Sequence, residues 1–312
     1  VFKMKKRGIT CGFPRFKSID RMKSLNYPQS GFKLDKKLKV TPFGEMSIKQ
    51  HREIEGEIRT MTLKRESSGK WFAIFCVEQK KKELKVNNKE RIGIDLGLLK
   101  FATLSNGEFI KNSKHLKGYE DKLLLLQKRL SKKKKGSNSR KKAKHRVAVL
   151  YEKIANTRAD FLHKISIKLV NSYSLISLEK LSAKEMSKRT FGRLHLGKGI
   201  NDAGWNMFAN MISYKAESAG CKAIFVDPRN TTQECSNCRQ IIKKELSERM
   251  HDCPFCGLKI DRDINAARNI LIRATGGHPG SQACGDNRKE ALSLKQETHI
   301  LCILKESKFR IS

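Results

Sequence analysis

The chain has 312 residues, enough for one large domain or two smaller ones with an apolar core. Lys plus Arg number 67 against 31 Asp plus Glu, a formal net charge of +36. Such self-repulsion is not needed for folding and points to a polyanionic partner, DNA or RNA, rather than to a merely solvated basic surface or a membrane surface. Of nine cysteines, four stand at metal-ligand spacing and five (Cys11, Cys76, Cys221, Cys284, Cys302) are scattered, which excludes a secreted disulfide scaffold and fits a reducing compartment. No long apolar span, signal-peptide core or lipidation motif is visible.

In chain order, Val1 opens directly into the basic run Lys3–Arg7, as a fragment would. Residues 1 to about 88 read as β structure: Phe72–Val77 is a β-rich apolar run and Ile48–Leu63 alternates weakly. Gly12-Phe-Pro-Arg-Phe-Lys17, Tyr27-Pro28 and Thr41-Pro-Phe-Gly44 punctuate it as turns, and Lys80–Lys89 is a charged linker. Arg91–Gly97, Leu99–Leu104 and Glu108–Lys111 form a predicted three-strand meander, with Asn106-Gly107 as a type I′ hairpin signal. Residues 114 to about 172 carry leucine and isoleucine at helical spacing on either side of Lys132–Lys142, which predicts a helical hairpin with a basic tip. That tip reads equally well as a phosphate contact or a solvated loop. A fourth strand (Ser174–Glu179), a helix over 203–219, a fifth strand (Lys222–Val226) and a helix over Asp263–Ala274 follow. Residues 277–312 read as a polar tail without periodicity.

Two constellations carry chemistry. Cys235 and Cys238, a 14-residue spacer, then Cys253 and Cys256 offer two knuckles whose four thiolates complete a closed tetrahedron, a structural Zn2+ site with His251 as a neighbour. Such a site supplies on the order of 10 kcal/mol to a segment too small to fold alone. The second constellation is acidic. Asp95 sits among Ile92, Ile94 and Leu96, Glu179 ends another apolar strand, and Asp263 opens a helix. A carboxylate in a hydrophobic strand is costly unless it is neutralised, and three together would call for hard divalent cations such as Mg2+.

The order of strands and helices, with acids on the first strand, the fourth strand and the last helix, is the ribonuclease H-like arrangement. The chain resembles the TnpB (OrfB) proteins of insertion-sequence elements and, through them, type V CRISPR effectors. The resemblance rests on Gly93-Ile-Asp-Leu-Gly97 with Phe101-Ala-Thr103, on Ser177-Leu-Glu179 with Leu181, and on Asp261-Arg-Asp-Ile-Asn-Ala-Ala-Arg-Asn-Ile270. Pro228 with Thr231-Thr232 ahead of Cys235, Asp202-Ala-Gly-Trp205 and Ser293-Leu-Lys-Gln-Glu297 also match.

The resemblance implies an α/β chain: a ribonuclease H-like (RuvC) mixed sheet with a helical insertion and an inserted zinc ribbon, preceded by a partial wedge-like β-barrel. The expected divisions are 1–90 for the partial barrel, 91–228 for the nuclease core with the hairpin at 114–172, 229–258 for the ribbon, 259–276 for the last core helix and 277–312 for the tail. It implies that a helical DNA-binding segment and the first part of the barrel are missing ahead of Val1. It further implies a transposon-encoded RNA-guided DNA endonuclease of the prokaryotic cytosol or nucleoid. Its catalytic Mg2+ ligands would be Asp95, Glu179 and Asp263, and its partners DNA and a guide RNA from the transposon end. Asp263 is preferred over Asp261 because Asn265, Ala266 and Ala267 follow it, Asp261 then being a solvated or capping acid. The alternatives are a catalytically silent nucleic-acid-binding relative and a strand-transfer transposase.

Overall fold

The computed structural model describes Gly8 and residues 22–50, 53–78, 89–181, 196–245, 248–276 and 298–304, with 196–198 and 298–304 described by backbone alone. The Lys3–Arg7 run, the Gly12–Lys17 turn, all but the end of the Lys80–Lys89 linker, the Ser293–Glu297 motif, Cys11 and Cys284 lie outside the described residues. The chain divides into two units, one of residues 1–81 with 292–312, the other of residues 82–291. No helix among the described residues is long and apolar enough to cross a membrane.

The first unit is β structure. Its strands are β1 (Ser24–Tyr27), β2 (Phe32–Leu34), β3 (Leu38–Val40), β4 (Gly44–Met46), β5 (Ile48–Lys49), β6 (Glu57–Arg65) and β7 (Trp71–Glu78). The weakly alternating stretch expected over Ile48–Leu63 is thus two strands. Period-two alternation places Met61 and Leu63 of β6 opposite Phe75 and Ala73 of β7, and these bury a core with Leu38, Val40, Met46 and Val77.

In the second unit β8 (Arg91–Leu96), β9 (Lys100–Leu104) and β10 (Phe109–Lys111) form the meander. The helices α1 (Glu120–Ser131) and α2 (Asn138–Ser172) lead to β11 (Leu175–Glu179). Then come α3 (Leu196–Ala203), α4 (Trp205–Ala219), β12 (Lys222–Val226), the short pair β13 (Met250–Asp252) and β14 (Lys259–Asp261), and α5 (Arg262–Thr275). The main sheet is mixed, in the order β10-β9-β8-β11-β12, antiparallel in the meander and parallel from β8 to β11 to β12.

Three details differ from the sequence-based expectations. The last strand, β15 (Thr298–Leu304), lies inside the expected polar tail and pairs antiparallel with β7 and β5 in the first unit. At Asn106-Gly107 only Gly107 has positive φ, +95°. Its N–H donates to the Leu104 carbonyl, and Leu104 N–H donates to Glu108 across a three-residue loop. This is an ordinary turn closed by a left-handed glycine, not a type I′ turn. The helix expected over 203–219 is broken at Gly204, φ +68°. A Cβ there would stand 3.1 Å from Cδ of Arg158, whose guanidinium passes by to pair with Asp202 at 2.8 Å. Asp202 also accepts from the Leu116 N–H at 2.9 Å, so this nearly buried carboxylate ties the base of the helical hairpin to the core.

The hairpin zips through Leu123, Val147, Leu150 and Ile154. At its tip Ser137 caps α2 by accepting from Arg140 N–H, and the Arg140 guanidinium donates to the carbonyls of Leu130 and Lys133 at 2.9 Å each. The Lys132–Lys135 run therefore sits on a hydrogen-bonded turn.

Alternation decides which side chains of the sheet meet which layer. Ile92, Ile94, Ile176 and Leu178 point into the core shared with Leu162 of α2 and Trp205, Phe208 and Ile212 of α4. The residues between them face the other side, where α5 lies against β8 and β11. Helix and strand approach so closely that a Cβ on Gly93 would fall 2.0 Å from the Ala267 carbonyl oxygen, and Ala266 and Ala267 are fully buried.

Candidate active site and metal centre

Asp95 and Glu179 lie on that α5 side. The parallel register pairs Ile94 with Leu178, so the next residues, Asp95 and Glu179, stand side by side at the carboxyl ends of neighbouring strands. Binding crevices of open α/β sheets form outside such strand ends. Asp263 is the second residue of α5 and keeps 24% of its side chain exposed. Burial, and then the charges of Glu179 and Asp263, push the Asp95 carboxyl well above the usual carboxylate range, with Arg262 opposing them. Burial likewise raises Glu179, against a hydrogen bond from Thr231 and the charge of Arg273. Like charges drawn from β8, β11 and α5 thus add to burial in disfavouring the ionised form of Asp95.

Asp261 has a different job. Its Oδ1 accepts from the N–H groups of Asp263 and Ile264 at 2.9 and 3.3 Å, capping α5, and its Oδ2 pairs with Lys100 Nζ at 3.1 Å. Burial alone would raise its pKa, but Lys100 and the two N–H donors outweigh that and hold the carboxyl low. Both of its oxygens are occupied, whereas the Asp263 side chain takes no part in the cap and pairs only at 3.6 Å, through Oδ1, with Arg262 Nε.

The four cysteine sulfurs lie within 4.8 Å of one another, with Cys235–Cys256 at 3.6 Å and Cys238–Cys253 at 3.5 Å. Sulfurs about 2.3 Å from a tetrahedral zinc ion are spaced about 3.8 Å apart, so these residues fit that metal and leave no position for water. The two knuckles repeat one backbone plan. Cys235 N–H donates to Gln240 and Arg239 N–H to Cys235; Cys253 N–H donates to Leu258 and Gly257 N–H to Cys253. The residue after each second cysteine is left-handed, Arg239 at φ +68° and Gly257 at +72°. The thiols interact strongly. Hydrogen bonds from Asn237 and Leu258 bring Cys256 down to about 6. Cys238 is pushed up to about 12, because burial and the neighbouring sulfurs outweigh the Gln240 N–H. His251 is fully buried in β13 and is not part of the sulfur cluster.

A polar stripe on α5 joins the two centres, and the sequence reading assigned it no role. Asn265, Asn269 and Arg273 recur every four residues on one face. Asn265 donates to the Glu234 carbonyl at 2.7 Å and accepts from Ser236 N–H at 2.9 Å. Asn269 donates to the carbonyls of Thr231 and Glu234 at 2.9 and 2.6 Å. Arg273 reaches the carbonyls of Asp227 and Arg229 and the Glu234 carboxylate. The available signal was Asn265 and Asn269 at i and i+4 among Ala266, Ala267 and Ile270 in one helix; both asparagines are fully buried, and buried amides need partners.

Residues 74–190 match the family model described as "Probable transposase", and residues 205–270 match "Cas12f1-like, TNB domain". The chain is 32% identical over 302 residues to the Escherichia coli protein "Putative RNA-guided DNA endonuclease InsQ", covering 92% of this chain and 74% of that protein. It is 33% identical to a Streptomyces pristinaespiralis protein of the same description without the InsQ name, covering 91% and 72%. A cryo-electron-microscopy structure of a CRISPR-Cas12f ternary complex aligns at TM-score 0.43 and 20% identity, over 70% of this chain and 46% of that one. With relatives above 30% identity spanning nearly all of it, the chain belongs to the TnpB (OrfB) family of transposon-associated proteins.

Proposed function

We propose that this protein is an RNA-guided DNA endonuclease whose 91–276 region is a ribonuclease H-like (RuvC) nuclease core, with a helical insertion at 114–172 and a zinc ribbon at 229–258. Residues 1–90 would be a partial wedge-like β domain, completed by the C-terminal strand. The observation that carries the proposal is that Asp95, Glu179 and Asp263 gather at the carboxyl ends of β8 and β11 and the start of α5, where burial first, and then the charges of the other two, raise Asp95 well above its ordinary range. The names of the related proteins point the same way.

The donor set fits Mg2+: three carboxylates offer hard oxygens at a place where, without a cation, protonation must relieve the repulsion. Bound there, a pair of such ions supplies an activated water and neutralises charge at the leaving oxygen of an in-line phosphodiester displacement. The residues' own part is positional. Asp95 and Glu179 are fixed by adjacent strands, and Asp263 by the helix start that Asp261 caps. Cys235, Cys238, Cys253 and Cys256 would hold Zn2+ as a structural ion. The excess of Lys and Arg would bind guide RNA and target DNA through their phosphates.

The test is to purify the protein with the RNA it carries, sequence that RNA, and challenge the complex with matching and non-matching DNA. Cleavage should need Mg2+ and the match. Asp95→Ala should abolish it while leaving RNA and DNA binding intact; undiminished cutting by that variant would falsify the assignment.

A further inference from the structure

Thr231 stands outside the acid triad and outside the cysteine cluster, yet its hydroxyl lies 2.5 Å from Oε1 of Glu179. Thr231 is 2% exposed. The same oxygen is 3.1 Å from the Pro228 carbonyl, and since a hydroxyl has one proton, the shorter contact to the carboxylate is where it donates. Thr231 is itself held: its carbonyl accepts from Asn269, whose side chain is fully buried on α5. Asn269 also binds the Glu234 carbonyl, next to the first zinc knuckle.

These contacts form one frame. The helix that carries Asp263 in its first turn grips, six residues on from it, the loop whose threonine grips Glu179. A glutamate side chain has three torsions to fix, and burial together with the charge of Asp227 works against its ionised form. A donor on Oε1 favours the carboxylate and leaves Oε2 directed away from Thr231.

We propose that Thr231 is a positioning residue for Glu179: it orients that carboxylate as a metal ligand and, through Asn269 and α5, sets its distance from Asp263. The proposal rests on Glu179 being a ligand. Outer-shell partners of this kind commonly change metal affinity by about 10- to 100-fold.

The test measures Mn2+ binding to the full chain by electron paramagnetic resonance, which does not depend on cleavage, beside Mg2+-dependent cleavage with the co-purified RNA. Thr231→Val, nearly the same shape without the hydroxyl, should weaken Mn2+ binding about 10- to 100-fold and raise the Mg2+ concentration needed for half-maximal cutting in parallel. Thr231→Ser, which keeps the donor, should restore both, and this variant decides the matter if Thr231→Val does not fold. Wild-type Mn2+ affinity in folded Thr231→Val, or a folded Thr231→Ser with affinity as weak as that expected of the valine variant, overturns the proposal. Glu179→Gln is the control. If it loses Mn2+ and Thr231→Val does not, only the role of Thr231 fails. If Glu179→Gln binds Mn2+ like wild type, the assignment of Glu179 as a ligand fails and takes this proposal with it.

Discussion

The four cysteines and the three acids proposed as metal ligands meet the same electrostatic problem in opposite ways. In each, groups that become negative are held closer than they would tolerate without a cation. The cysteines come from two copies of one local turn, with 14 residues between Cys238 and Cys253, and each turn makes its own backbone bonds. The acids come from β8, β11 and α5, and nothing near any one of them in sequence holds the other two. A closed, soft, local site suits a structural ion; an open, hard, non-local one suits an ion that must also meet substrate. Stability and activity should therefore respond separately to damage in each.

The largest effect is expected from Cys253→Ser. Loss of one thiolate from a closed set removes a share of binding energy on the order of 10 kcal/mol, so zinc content should fall and 229–258 should become protease-sensitive. A protein that keeps its zinc and its protection would break the contrast. Asp95→Asn should act in reverse, with cleavage lost and zinc content unchanged. Because a buried like-charge repulsion is relieved, melting without divalent cations should rise by about 2–4 °C, the equivalent of about 1 kcal/mol in a unit of this size. A lowered melting point would mean that Asp95 supports the fold.

Smaller effects sharpen the picture. Asp261→Ala removes a helix cap and the partner of Lys100, so chemical denaturation should show a loss of about 1–2 kcal/mol. Mg2+ should still support cutting, since Asp263 remains; complete loss of cutting would instead make Asp261 a ligand. Gly257→Ala puts a side chain on left-handed backbone and should cost about 1–2 kcal/mol, measured on the zinc-loaded protein. Arg239 already occupies the same place in the first knuckle, where its guanidinium pairs with Glu234 at 3.1 Å. Arg239→Gly tests whether that pair offsets the strain, and a net change near zero is expected.

Much of this was legible in advance where the determinant is local. The CxxC pairs announce themselves by spacing, and the helical hairpin by its leucine period. Asp95 and Glu179 stand out because a charge interrupts an apolar strand. Asn106-Gly107 marked a hairpin correctly but not its turn type, which depends on whether the bonds close across two residues or three. The apolar run Ile300–Leu304 was passed over because its partner strand, β7, lies near the other end of the chain. The break at Gly204 was also hidden, since it reflects the path of Arg158 from another helix.

Residue chemistry and spacing by themselves determined which groups could bind metal and which strand or helix each acid occupies, and the charge pointed to a polyanionic partner. These follow from side-chain type and from interactions within a few residues, which sequence neighbours control. Only the tertiary structure decided that Ile94 pairs with Leu178, that Gly93 lets α5 settle onto β8, and that Asn269 holds Thr231 against Glu179. Those contacts join residues far apart along the chain, and their geometry is set by sheet register and helix–sheet distance, which no short stretch of sequence specifies.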